Sequence, residues 1–257
     1  MASTPAPLTV AVSSRSAERL LLWTLLLVYI FNFLDRQIVS ILAEPIKRDL
    51  GLSDTQLGLM TGLAFALFYA VLGVPIARWA DRPGSDRVGL IAASLVVWSG
   101  MTALCGLAQN FTQLLLARIG VGVGEAGCTP AAHSLITDAV PASRRATAIA
   151  FYGLGIPIGT LLGTIIGGSL ADAFGWRRAF LVVGLPGVAL ALFVWFALRD
   201  PRKRLTAAQS AAAPPRLAAM AALRQLAQSR AYLLIMLASG LVAFLSYGKG
   251  VWALIYF

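Results

Sequence analysis

Long apolar stretches separated by short polar breaks dominate the chain. A helix needs about 20 predominantly apolar residues to cross the hydrocarbon core of a bilayer. Six stretches reach that length, at roughly 20–43, 57–79, 88–108, 111–139, 148–170 and 177–198. A seventh runs from Tyr232 to Phe257. None alternates apolar with polar positions, so the spacing predicts membrane-spanning helices and excludes a β-barrel. The first stretch is too long for a signal peptide and lacks a small-residue cleavage site. Only one connection is long. It runs from Asp200 to about Ser229, opening with Pro201 and a basic run and turning Ala-rich around Pro214 and Pro215. Leu217, Met220, Leu223 and Leu226 then recur at helical spacing beside Arg216, Arg224 and Gln225, which predicts a short helix in the membrane surface. The expected organisation is a tail over 1–19, a six-helix bundle over 20–198, a linker over 199–231, and a seventh span over 232–257 that opens an incomplete second bundle.

Composition sharpens this picture. Of the 257 residues, 58% are hydrophobic and 12% charged, with a mean hydropathy of +0.79. A soluble domain carries about 25% charged residues, so most of this surface must face lipid or other helices. The net charge of +10 does not make a nucleic-acid partner, because the basic residues fall in short blocks between apolar segments rather than on one face. Fourteen lie in the N-terminal tail and the even-numbered loops, and only Lys47, Arg48, Arg177 and Arg178 lie in the odd-numbered ones. By the positive-inside rule the N-terminus is cytoplasmic, in a bacterial-type inner membrane. Cys105 and Cys128 both fall within apolar segments, so no disulfide framework is expected.

An internal repeat follows the second span of each three-helix set. Ala77-Arg-Trp-Ala-Asp81-Arg-Pro-Gly84-Ser-Asp-Arg87 matches Gly168-Ser-Leu-Ala-Asp172-Ala-Phe-Gly175-Trp-Arg-Arg178 in its small residue, Asp, Gly and Arg, all offset by 91. One copy is assigned to the cytoplasmic side and the other to the external side. The two triplets therefore have inverted topology, as in three-plus-three transporter repeats.

At these residues the chain resembles the major facilitator superfamily. Asp81, Arg82 and Gly84 resemble its loop motif between the second and third helices, usually Gly-x-x-x-Asp-Arg-x-Gly-Arg-Arg. Ala77 replaces the first glycine, Ser85-Asp86 replaces the basic pair, and Arg87 comes one position late. Arg118-Ile-Gly-Val-Gly122 resembles the fourth-helix motif, and Gly155-Ile-Pro157-Ile-Gly159 the glycine–proline motif of the fifth. Within the superfamily, Asn32-Phe-Leu-Asp35-Arg36 and Arg118 with Gly122-Val-Gly-Glu125-Ala-Gly127 resemble the spinster-like family. The resemblance implies an all-α fold of two inverted three-helix repeats plus a seventh helix. It also implies proton-driven carriage of a small organic or amphiphilic, lysolipid-like substrate.

Five charged residues fall within spans: Asp35, Arg36, Arg118, Glu125 and Lys249. Each costs about 2.5–3.5 kcal/mol at the bilayer centre even on the lenient insertion scale, so they are expected to face the bundle interior. At about 1.5 Å per residue, Asp35, Arg36 and Arg118 share a level, and Glu125 lies about 10 Å deeper on the same face as Arg118. Adjacent residues cannot face each other on a helix. The simplest pairing is Asp35 with Arg118, leaving Arg36 to alternate between Glu125 and a substrate anion, with Glu125 as the proton site. A fixed charge network that only specifies packing is the competing explanation. His133, two turns beyond Glu125, is expected to be a satisfied polar residue rather than a relay. Gly153, Gly155, Gly159 and Gly163 form a small-residue stripe for close packing, with Pro157 as a hinge.

No metal-ligand spacing, phosphate loop or catalytic constellation is present in the sequence, so neither an enzyme nor a cofactor is expected. The expected partners are a small-molecule or lipid-like substrate, protons, the bilayer and a C-terminal bundle. A proton-independent facilitator, an organic-anion exchanger, and a non-transporting membrane protein remain as alternatives. Because a carrier of this kind binds between two bundles, these 257 residues alone are expected not to transport as a monomer.

Overall fold

The structure is a computed structural model that describes residues 14–82, 84–204 and 219–256. The expected tail before Ser14, Pro83 and the linker stretch with Pro214, Pro215 and Leu217 lie outside the described residues, as does the side chain of Lys249. Among the described residues every regular element is helical.

The first span, Arg15–Ile41, begins five residues before the apolar stretch because Ser14 caps it, its hydroxyl accepting from the Ala17 N–H. A short helix, Ala43–Leu50, follows and ends at Gly51 with φ 63°. The second span, Asp54–Ala80, starts with a reciprocal cap in which Ser53 Oγ accepts from Gln56 N–H and Gln56 Oε1 accepts from Ser53 N–H. Its Leu59–Leu63 segment is π-helical. Asp86 caps the third span, Arg87–Cys105, and Asn110 caps the fourth, which runs Phe111–Glu125 and then Cys128–Ala139. The fifth starts as Arg145–Gly153, breaks at Leu154 and continues from Gly155. That break fits Pro157, which has no N–H to offer the Gly153 carbonyl. The helical run Gly155–Ala197 is interrupted only at Gly175, which divides the fifth span from the sixth. Beyond the bundle lie helices Ala219–Ala227 and Arg230–Tyr256.

The repeat is visible in the backbone. Gly84 and Gly175, 91 positions apart, adopt φ 74° and φ 76°, the left-handed region that a residue with a Cβ avoids. A glycine with positive φ therefore follows the second span of each triplet. The paired arginines differ: Arg87 is fully buried, whereas Arg178 is exposed and its neighbour Arg177 bonds Asp49.

Helix packing places the interior. The first span lies against the fifth, the third against the fourth and sixth, and the second against the fourth. One apolar cluster, including Leu25, Trp98, Leu135 and Val194, fills the end of the bundle that carries Arg15, Arg87 and Asp200, the basic end. A second, including Ile38, Ile46, Met60 and Phe180, fills the opposite end. The outer surface is apolar, with Leu67, Val71, Leu161, Leu185 and Phe196 exposed. Such a surface requires lipid around it. The chain is an integral, multi-pass membrane protein.

Candidate functional site: a buried charge cluster and a clasp at the basic end

The buried charges lie along the first and fourth spans where the two apolar clusters meet. Arg36 Nε donates to Glu125 Oε2 at 2.6 Å, with the Glu125 side chain fully buried and that of Arg36 14% exposed. The Arg36 guanidinium also sits over three rings, those of Phe33, Phe65 and Tyr69, at 5.0, 5.0 and 4.9 Å. Cations are attracted to ring faces at this separation, so the aromatic cage holds Arg36 while Glu125 neutralises it.

Asp35 does not pair with Arg118. Asp35 Oδ2 instead accepts from Thr102 Oγ1 of the third span at 3.3 Å, and no Arg118 ion pair within 4.0 Å occurs among the described residues. The reason is directional. Helical side chains lean toward the N-terminus of their own helix. On antiparallel spans, Arg36 therefore leans toward the basic end while Glu125 and Arg118 lean away from it. This brings Arg36 and Glu125 together from different levels, whereas Asp35 and Arg118 do not come within ion-pair distance. Arg118 is 2% exposed, its guanidinium 5.4 Å from the Phe65 ring centre, and its Nε and Nη1 have no hydrogen-bond partner. Glu125 Oε1, Asp35 Oδ1 and Asn32 Oδ1 are likewise buried without partners. Buried polar atoms are nearly always matched. Such a concentration of unmatched atoms marks this place as different from the packed core.

Close packing sets each charged helix tightly against a neighbouring span. A Cβ built on Gly155, Gly159 or Gly163 would fall 2.8 Å from the Cβ of Tyr29, Phe33 or Gln37 on the first span. Gly153 is not part of this stripe, since nothing lies within 4 Å of its added Cβ; Gly167, facing Ile38, extends it instead. The spacing of four residues keeps one helix face toward the partner, and Gly153 falls off that face. On the fourth span Gly122 and Gly124 similarly admit the backbones of Phe65 and Trp98. His133 is exposed and lies edge-on to Tyr152, whose ring stacks on Tyr29 at 4.2 Å.

A second polar cluster ties the basic end together. Arg87 Nε and Nη2 bond the two Asp200 oxygens at 3.0 and 2.6 Å, and its backbone N–H donates to Asp200 Oδ2 at 2.7 Å. Arg87 Nη1 donates to Asp138 Oδ2 and to the Ser134 carbonyl at 2.7 and 2.9 Å. Arg202 bonds the same Asp138 oxygen, and Lys203 pairs with Asp86. One arginine thus joins the loop after the second span to the ends of the fourth and sixth. Burial alone raises the Asp200 carboxyl, but the bonds and charge of Arg87 outweigh it and hold Asp200 below the usual carboxylate range. Of the loop motif, Asp81 and Arg82 lie on the exposed turn and Gly84 supplies the bend, so Arg87 alone enters the interior. Sequence reasoning missed Thr102, the aromatic cage, Asp138 and Asp200. The two aspartates carried a signal, because each stands at the end of a span in a chain with only eleven acidic residues.

A family model for the Major Facilitator Superfamily matches residues 25–257. The chain belongs to this superfamily. Among Major Facilitator structures it is similar to a bacterial homologue of the human lysosomal transporter Spinster, solved inward-facing and unoccupied. That match has 35% identity and a TM-score of 0.79, and covers 94% of this chain and 56% of the other. The spinster-like resemblance is thereby supported. Curated Major Facilitator relatives include an efflux pump of Mycolicibacterium smegmatis, 44% identical over 66% of this chain and 39% of the relative. A probable L-galactonate transporter of Escherichia coli is 32% identical over 71% of this chain and 40% of the relative. The chain thus spans about two-fifths of the length of these curated relatives.

Proposed function

We propose that this bundle forms one half of a secondary carrier that moves a small organic or amphiphilic anion by proton-coupled alternating access. The linker after the sixth span and the helix Arg230–Tyr256 would lead into the second half. The single observation that carries this proposal is the unequal satisfaction of the buried charges. Glu125 holds Arg36 while Arg118, equally buried, keeps two unmatched donors.

An anion entering from the cavity side is attracted to Arg118 and competes with Glu125 for Arg36. When Arg36 turns to the anion, Glu125 loses its neutralising partner and binds a proton in its place, since an arginine neighbour governs how readily a buried carboxylate stays ionised. Substrate and proton are then taken up together. Return of Arg36 to Glu125 expels both. No covalent chemistry is involved, and no enzymatic role is proposed. The names of relatives handling L-galactonate and hexuronate, both carboxylates, support an anionic substrate.

The test is uptake by a carrier in which this bundle is joined to a second six-helix bundle, reconstituted in proteoliposomes. Glu125→Gln is expected to abolish uptake driven by a pH gradient and to retain substrate exchange. Gradient-driven uptake that survives the substitution would refute the proton role. The same experiment separates an anion exchanger, which Arg118 also favours, because an exchanger shows no gradient dependence before substitution.

A further inference from the structure

At the basic end, the first span and the start of the fifth border a cavity of about 300 Å³ outside the charge cluster. Arg19, Arg144 and Glu18 form its rim, and Leu22, Trp23 and Phe151 its deeper wall. Glu18 is 7% exposed and accepts from Arg144 Nη2 at 2.9 Å. That bond anchors one edge of the Arg144 guanidinium while its side chain stays 54% exposed. Trp23 is 62% exposed and meets Phe151 edge-on at 5.0 Å.

Depth and charge decide what fits. Arg19 lies about 6 Å and Trp23 about 12 Å along the helix from Arg15. Positive charge therefore stands at the membrane surface, with an aromatic wall immediately beneath it, the arrangement of the headgroup boundary. The single carboxylate on the rim is buried and already bonded, whereas both guanidinium groups reach solvent, and Arg15 and Arg145 flank them. A zwitterionic headgroup would bring a further cation against this rim.

We infer that this groove is a binding site for an anionic phospholipid, with the phosphate between Arg19 and Arg144 and the upper acyl chains along Trp23 and Phe151. Each basic side chain near a membrane surface contributes about a factor of five in affinity for anionic lipid. With Glu18 offsetting one of the two charges, the rim implies a preference of about fivefold for phosphatidylglycerol over phosphatidylcholine.

The experiment is native mass spectrometry of the full chain released from detergent micelles containing equal phosphatidylglycerol and phosphatidylcholine. Preferential retention of phosphatidylglycerol is expected, abolished by Arg19→Ala with Arg144→Ala and unaffected by Arg224→Ala. Because Arg144→Ala releases the buried Glu18, Trp23→Ala is the second variant. It keeps the ion pair and is expected to weaken retention of both lipids. Equal retention of the two lipids by the unaltered chain overturns the inference. So does displacement by millimolar inorganic phosphate, which would mark a plain anion site. Loss of the preference once a second bundle is joined would assign the groove to that bundle and overturn it too.

Discussion

Removing Asp200 tests whether the clasp at the basic end holds the bundle together. Arg87 is fully buried, and Asp200 supplies acceptors to two of its guanidinium nitrogens and to its backbone N–H. In Asp200→Ala the guanidinium keeps only Asp138, already shared with Arg202, and the Ser134 oxygens. Breaking one side of a buried ion pair costs about 3–5 kcal/mol, because the remaining charge stays desolvated. That is a large share of a typical stability of about 5–15 kcal/mol. Removing both partners is milder, so Arg87→Met combined with Asp200→Ala should cost less than the two single changes added together. Coupling of about 1–3 kcal/mol is expected for groups in one network. The assay is reversible unfolding of the chain in mixed micelles, titrated with denaturing detergent and followed by circular dichroism. A cost for Asp200→Ala below about 1 kcal/mol, or strict additivity in the cycle, would refute the clasp.

The glycine stripe predicts opposite outcomes at neighbouring positions. Gly159→Leu should overpack the first span and cost about 1–3 kcal/mol, while Gly153→Ala should be neutral or stabilising by up to about 1 kcal/mol, since nothing meets its Cβ; thermal unfolding in detergent compares them. The pH dependence follows from Asp200, whose carboxyl is held below the usual range. Its contribution should be present above the unfolded value of about 3.9 and lost as pH falls through the lower folded value, so the destabilisation caused by Asp200→Ala should shrink on acidification and would be misattributed if it persisted unchanged. Orientation is tested with single cysteines: positions in loop 139–147 should resist an impermeant thiol reagent in intact cells while Asn110→Cys labels, and the reverse pattern would invert the topology.

The spans were legible because lipid enforces a crude rule of about 20 apolar residues, and a soluble core imposes nothing so simple. Helix ends shifted where local chemistry intervened: Ser14 extended the first span, and Pro157 interrupted the fifth. The repeat was legible because a left-handed turn demands glycine at both Gly84 and Gly175. Cost alone identified the interior charges, and the bundle brings Asp35, Arg36, Arg118 and Glu125 together. Their pairing was not legible. Axial depth placed Arg36 level with Arg118, but depth along a helix counts Cα positions, and long side chains lean toward their own N-terminus by an appreciable fraction of a turn. The same limit hid Thr102, which only lateral packing brings beside Asp35. Asp138 and Asp200 stand 62 positions apart and reveal their connection only through Arg87.

The two polar clusters use the same residue types for different physical ends. In the clasp, both oxygens of Asp200 and all three nitrogens of the Arg87 guanidinium have partners, so any change in helix position breaks bonds without offering replacements. Such a cluster favours one arrangement of the basic end. In the mid-bundle site, Arg36 donates to one oxygen of Glu125 while the other oxygen is unmatched, and the rings around the guanidinium attract it without directional bonds. Ring faces attract a cation over a range of positions, so the cage itself does not fix Arg36 in one orientation. Arg118, held by packing and matched by no acceptor at Nε or Nη1, supplies an electrostatic reason for an anion to arrive there. A fixed packing network would satisfy its most buried atoms first, as the clasp does. The mid-bundle charges leave theirs unmatched, and this difference favours exchange of partners over a purely structural role.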